Sequence, residues 1–188
     1  MVKADCGGCE GCSRCCHGMG KSIILDPYDV YRMTTGMGKS MQELLAASVE
    51  LNVVDGVILP NLKMQGAEEA CAYLDGRGRC SIHPYRPGIC RLFPLGRYYE
   101  NGGFSYFLQT GECAKENRSK IKVSKWIDTP DLTRNQQFTL QWHDLLHAME
   151  ERLTGEDEGK QQEENLLLLR LFYLLPYKGT TDFYSQFM

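Results

Sequence analysis

The chain lacks most of the features by which a sequence declares its task. It has no run of basic residues, and 21 Lys and Arg against 24 Asp and Glu leave a net charge of −3. A nucleic-acid partner, which needs a basic surface to displace phosphate counterions, is therefore not expected. The longest apolar stretch, Leu166 to Leu175, is interrupted by Arg170; a bilayer span needs about 20 apolar residues, so no membrane partner is expected either. The opening Met1-Val-Lys-Ala-Asp-Cys6 has no apolar core of a secretion signal, which makes a cytoplasmic location the expectation. Gly18-Met-Gly20-Lys21-Ser22 echoes only the second half of a phosphate loop, because Cys15 stands where the first glycine is required. Histidine is scarce, at four residues. The pair His143-Asp-Leu-Leu-His147 lacks the glutamate of a His-Glu-x-x-His protease site and reads as a polar helix face.

What the chain does have is cysteine. Five of nine fall in the first sixteen residues, as Cys6-Gly-Gly-Cys9-Glu-Gly-Cys12-Ser-Arg-Cys15-Cys16. Packing does not explain thiols at strict three-residue spacing with the last one doubled. Thiolates at this density need a cation to hold them together. In a reducing compartment they read as metal ligands before disulfides, and an odd count fits a disulfide framework poorly.

With 188 residues and 43% hydrophobic content, one compact domain is feasible. The expected class is α+β: a small cysteine-rich, metal-stapled domain with short hairpins over residues 1–118, and a C-terminal helical pair over 119–188 packed on it. Ile23-Ile24-Leu25 reads as a short strand. Asp26-Pro27 starts a helix that stops near Gly36, and the capping box Ser40-Met-Gln-Glu43 starts a second over about 41–50. Val53 to Leu62, around Asp55-Gly56 and Pro60, reads as short strands or a hairpin. Cys71–Leu74 and Arg79–Ile82 form another about Asp75-Gly-Arg-Gly78, and Arg97–Tyr99 with Phe104–Leu108 a third about Asn101-Gly102. Helices follow over about 133–153, with Phe138, Trp142, Leu145, Met149 and Leu153 on one face, and over about 160–175. Tyr98, Tyr99, Phe104, Tyr106 and Phe107 crowd the third hairpin as cross-strand pairs that could also shield a cluster from water.

The later cysteines, Cys71, Cys80, Cys90 and Cys113, sit at turns or strand ends, where backbone N–H groups can reach sulfur. Taken singly, each could equally be a small buried hydrophobe. Cys9-x-x-Cys12-x-x-Cys15 suits an iron–sulfur cubane with a remote fourth ligand, and also a zinc site. A zinc ribbon would carry a second Cys-x-x-Cys knuckle, which is missing. The radical-SAM spacing fails because Met19 replaces its third cysteine. A thioredoxin-like motif lacks its βαβ setting. His17 and His83 stand close to cysteines in sequence and could serve as substitute ligands.

Cys9-x-x-Cys12-x-x-Cys15-Cys16, followed by Cys80-Ser-Ile-His-Pro-Tyr-Arg86-Pro87-Gly-Ile-Cys90-Arg91-Leu-Phe93-Pro94, resembles the CxxCxxCC family of zinc- or iron-chelating domains, over roughly residues 5 to 115. The resemblance implies a metal ligand set of Cys9, Cys12, Cys15, Cys16, Cys71, Cys80, Cys90 and Cys113, with Cys6 an addition of this chain. Arg86 and Arg91 are expected beside the cofactor, offsetting thiolate charge or donating hydrogen bonds to sulfur. One branch of the family looks like a flagellin lysine methylase. The expected function is metal binding, with an iron–sulfur cluster of the [4Fe–4S] kind favoured and a redox, electron-transfer or accessory role. The alternatives are a zinc-stapled non-catalytic binding module and a lysine methylase-like enzyme. Metal ions and a redox or client protein are the expected partners.

Overall fold

Asp26 and Asp29 begin the first helix. The Asp29 N–H donates to the Asp26 carboxylate at 2.8 Å and the Asp26 N–H donates to the Asp29 carboxylate at 3.3 Å, a capping box with Pro27 in the first turn. The computed structural model describes residues 1–7, 12–115 and 117–187. Helix α1 runs Pro27–Met37 and closes on Gly38 in the left-handed conformation. Gly36, the expected stop, stays inside the helix. Its bare Cα lets the Tyr85 ring lie against it, where a Cβ would meet Tyr85 Cδ1 at 2.3 Å. Alanine at 36 would gain about 1 kcal/mol of helix propensity but overpack this contact by about 1–3 kcal/mol. Gly36→Ala is expected to lower stability by up to about 2 kcal/mol, read as a lower urea midpoint; a raised midpoint would contradict the contact.

The Ser40 capping box starts α2, Met41–Ala47. The helix ends three residues before the expected point because Val49, fully buried, is already the first residue of β2, Val49–Val54. β2 pairs antiparallel with β3, Val57–Leu62, across Asp55-Gly56, both at positive φ, as a two-residue primed turn demands. Ile23–Leu25 borders the other edge of β3: the Leu25 N–H donates to the Pro60 carbonyl and the Leu62 N–H to the Ile23 carbonyl. Central position explains why β3 is apolar on both faces rather than alternating.

β4, Met64–Gln65, pairs with β5, Ala70–Cys71. The second expected hairpin contracts to a single bridge, Leu74 to Cys80. The Asp75 carboxylate takes the N–H groups of Arg77 and Arg79 for itself, a local turn that competes with a ladder. Helix α3, Gly88–Leu92, leads through a cis Phe93–Pro94 peptide into the hairpin of β6, Leu95–Glu100, and β7, Gly103–Leu108. β8, Ser119–Ile121, returns to pair with β1, Val2–Asp5. α4, Val123–Ile127, and α5, Leu132–Leu153, follow. α6, Glu158–Leu169, is capped by Asp157, begins two residues before the expected start and continues as a π-helical turn over Arg170–Leu174. α7 spans Tyr184–Phe187.

The mixture of helices and small antiparallel sheets is α+β, as its patterning implies. One apolar core draws on both sides of residue 118. Phe138 of α5 and Phe183 stack edge-on at 5.0 Å, Tyr28 of α1 meets Phe183 at 5.1 Å, and the buried Tyr173 hydroxyl donates to the Leu25 carbonyl at 3.0 Å. Asn165 of α6 clamps the β2–β3 turn, accepting from the Ile58 N–H and donating to the Gly56 carbonyl.

Burial raises the Asp26 carboxyl against the stabilising N–H bonds of its cap, and the facing Asp29 carboxyl is raised as well, by burial and by Asp26. A carboxyl raised on folding contributes its full stability below the ordinary carboxyl range, about pH 4, and that contribution is lost as pH rises above it. Asp26→Asn keeps a good cap and removes the charge. It is expected to raise the melting temperature at pH 7.5 and to flatten the loss of stability between pH 4 and 7; an unchanged pH profile would show that Asp26 is not its source.

Candidate metal centre

Four segments converge on one small cavity. The first is the 3-10 turn Arg14–Cys16, closed by the Cys16 N–H on the Ser13 carbonyl. It is hooked to the 68–71 segment by a bridge between His17 and Ala70, by a bond from the Gly18 N–H to the Glu69 carbonyl, and by a contact of His17 Nδ1 with the Glu68 carbonyl at 3.3 Å. Those ties bring Cys15 and Cys16 beside Cys71 at the end of β5. β5 with Cys71 is thus the second segment, and the third, a turn held by the Leu74–Cys80 bridge and by the Ser81 N–H on the Tyr73 carbonyl, returns Cys80 to the same place. The fourth segment is α3, which carries Cys90. Its first N–H, on Gly88, donates to the buried Asp29 carboxylate at 2.6 Å. The capping box of α1 thus also anchors the helix of a candidate ligand.

Cys15, Cys16, Cys71, Cys80 and Cys90 all line this cavity of about 80 Å³, together with Arg86. The rest of the wall is largely apolar, including Met19, Met64, Leu62 and Phe93. Cys15 and Cys16 share a proton: the hydrogen bond from Cys16 brings Cys15 down to about 6, while holding the proton pushes Cys16 up. Burial pushes up Cys71 and Cys80, partly offset by N–H bonds from Tyr73 and Ile82 two residues on. Burial raises Cys90 further, with the Asp29 charge adding to it. Arg86 acts the other way on Cys15 and Cys80. A cavity of buried thiols that oppose one another's ionisation stores a requirement for positive charge, which a metal cation meets by replacing protons. The donor set, all sulfur with one guanidinium at the edge, fits zinc or iron. Among the described residues, no three Cys, His, Asp or Glu side chains yet stand close enough to grip one ion, so closing on a metal requires the sulfurs to turn inward.

Of the eight cysteines expected as ligands, the structure brings these five together. Cys12 and Cys113 do not line the cavity, nor does Cys6; Cys9 lies outside the described residues. The pairing of β1 with β8, reinforced by Ser119 Oγ on the Asp5 carboxylate, ties the start of the cysteine cluster to the strand that follows the Cys113 loop. Arg86 lines the cavity. Arg91 is buried and turns elsewhere: its guanidinium donates to the Asp128 carbonyl, and desolvation lowers it to about 10. It braces α3 against the end of α4. His83 is exposed, and neither it nor His17 lines the cavity. His143 stacks on Tyr99 at 3.8 Å, and His147 faces Glu150 and Glu151 at 3.7 and 3.9 Å, a polar helix face. Tyr99, Phe104 and Tyr106 of the β6–β7 hairpin pack on one another, with Tyr99 and Phe104 as direct cross-strand partners, whereas Tyr98 and Phe107 are exposed; the rings that wall the cavity are Tyr73 and Phe93.

Asp29, Met19 and Met64 are the residues that sequence reading misses. Asp29 carries a weak signal, as the acidic third position of the capping box begun by Asp26. Met19 and Met64 carry none, because a loop and a two-residue strand are too short to show a period.

Residues 8–121, more than half of the chain, match the model of the CxxCxxCC family, described as "Putative zinc- or iron-chelating domain". The comparisons with curated proteins and with solved structures found no match. Among the described residues no helix is long and apolar enough to cross a membrane. The chain belongs to the CxxCxxCC family, and metal binding is the function that this membership and the five-thiol cavity together support.

Proposed function

We propose that the cavity binds an iron–sulfur cluster of the [4Fe–4S] kind and that the protein serves a redox, electron-transfer or accessory role with a client protein in a reducing, cytoplasmic setting. The observation that carries this reading is five thiols on one largely apolar cavity, enough for the four cysteine ligands of a cubane with one thiol left beside it. Cys71, Cys80 and Cys90, presented by three separate backbone segments, would hold it with one of Cys15 and Cys16. The other member of that pair would remain beside the site as an exchangeable thiol. When bound, a cluster of this kind supplies a one-electron couple whose potential responds to burial and to hydrogen bonds on sulfur. The chain's own residues provide those controls. The apolar wall excludes water, the Tyr73 and Ile82 N–H groups bond to Cys71 and Cys80, and Arg86 places a positive charge at the edge.

About 80 Å³ is far below the roughly 300–1,000 Å³ of a typical organic cofactor site. The methyl-transfer alternative, which needs such a cofactor, therefore gains nothing from this cavity. The test is anaerobic incubation of the metal-free chain with ferrous iron and sulfide, and separately with zinc, followed by desalting. Retained iron and sulfide in near-equal amounts, with a broad visible band lost on oxidation, is the expected result. Retention of zinc alone, with unfolding on chelation, would replace this reading by a zinc-stapled binding module.

A further inference from the structure

α6 and the π-helical turn that extends it present Glu163, Leu166, Leu167, Arg170, Leu171 and Leu174 along one outward stripe. Leu166, Leu167 and Leu171 are 56%, 50% and 51% exposed, well beyond the scattered exposure of an ordinary surface. A groove of about 360 Å³ between α5 and α6 runs beside the stripe, with Leu145, Ala148, Met149 and Phe172 in its wall and the Arg152–Glu164 ion pair at its rim. Half-exposed leucines in such a row sum to a few hundred Å², the size at which apolar patches on monomers are commonly functional.

We propose that this face pairs with the same face of a second copy, the two α6 helices running antiparallel about a two-fold axis between Leu166 and Leu167. The charges on the stripe select that occupant. Glu163 and Arg170 lie seven residues apart, two helical turns, and at equal distances on either side of the axis. An isologous antiparallel contact therefore sets Arg170 of each copy against Glu163 of the other, so the pair is made twice. The same register places Leu166 of one copy on Leu167 of the other. The stripe carries one acid and one base, so two chains of net charge −3 can meet there without like-charge repulsion. α6 with its π-helical extension is about 25 Å long. A standard interface buries about 800 Å² on each partner, which such a helix reaches when the neighbouring edge of α5 and the groove take part. The contact lies on the helical face, and its test does not depend on what the cysteines bind.

Sedimentation velocity on the full chain from about 1 to about 100 μM reads the association. The expected result is a dimer at the upper concentrations. Leu167→Asp is expected to leave only monomer, with far-UV circular dichroism confirming an intact fold. Glu163→Arg and Arg170→Glu should each weaken the dimer by about tenfold or more, by setting like charges opposite one another. The two combined should return to within about threefold of the parent, because the pair is re-formed in reverse. A monomer throughout the range overturns the proposal. So does a dimer indifferent to Leu167→Asp, or a double reversal no better than the single ones.

Discussion

Cys80→Ser and Cys90→Ser are each expected to strip the cavity of most of its bound metal, whereas Cys113→Ser should leave that metal in place. The difference follows from position. Cys80 and Cys90 face the cavity from separate segments and Cys113 does not. A serine oxygen is a harder and far more weakly acidic donor than a thiolate, so the site loses a ligand and keeps a buried hydroxyl. The loss should come without global unfolding, because Cys80 and Cys90 pack at the edge of the apolar core rather than within its buried set. Metal per chain after desalting, measured by emission spectrometry, checks this. Equal loss in all three variants would mean that Cys113 belongs to the same site and that the described arrangement is not the liganded one. Asp29→Ala is a gentler probe of the same centre. It removes the acceptor of the Gly88 N–H and should loosen metal about 10- to 100-fold, as outer-shell partners of ligands commonly do.

The second large effect is on stability. Tyr173→Ala is expected to cost about 3–5 kcal/mol, the range for emptying a large aromatic site in a packed core. Tyr173 is 1% exposed, lies among the side chains that α1, α5 and the C-terminal segment share, and donates to the Leu25 carbonyl. Leu25 belongs to the stretch that borders β3, so the loss should spread to the N-terminal two thirds. Denaturant unfolding followed by helical ellipticity, and by the fluorescence of Trp142 and Trp126, should shift as one transition. Two separated transitions, with only the helical one moved, would mean that the segments before and after residue 118 fold independently.

How far the sequence reaches depends on the kind of signal. Elements defined locally were legible: the Asp26 and Ser40 caps, the Asp55-Gly56 and Asn101-Gly102 turns, and the periodic face of α5 each depend on residues close in the chain. Elements decided by tertiary contact were not. Gly36 looks like a helix end until the Tyr85 ring is seen against it. The Cys71–Ile82 segment alternates like a hairpin until the Asp75 carboxylate takes the N–H groups of the turn. The site divides in the same way. Cysteine spacing announces a metal without saying which thiols share it, because the grouping is made by long-range ties such as the His17–Ala70 bridge and the bond from Gly88 to Asp29. The Arg86-Pro87 and Arg91-Leu-Phe-Pro94 segment reads as one functional unit, yet its two arginines diverge. One faces the thiols, and the other is consumed in bracing α3 to the Asp128 carbonyl. Their places in the chain account for that split: Arg86 lies in the extended stretch before α3, whereas Arg91 sits in the last turn of α3, where it meets the end of α4.

Iron, zinc and acid-labile sulfide per chain, measured on protein purified without oxygen together with its visible spectrum, test the central claim most directly. Iron with matching sulfide and a broad visible absorption, both lost in Cys90→Ser, is the expected result. A colourless protein that carries zinc without sulfide, or no metal at all, would contradict it.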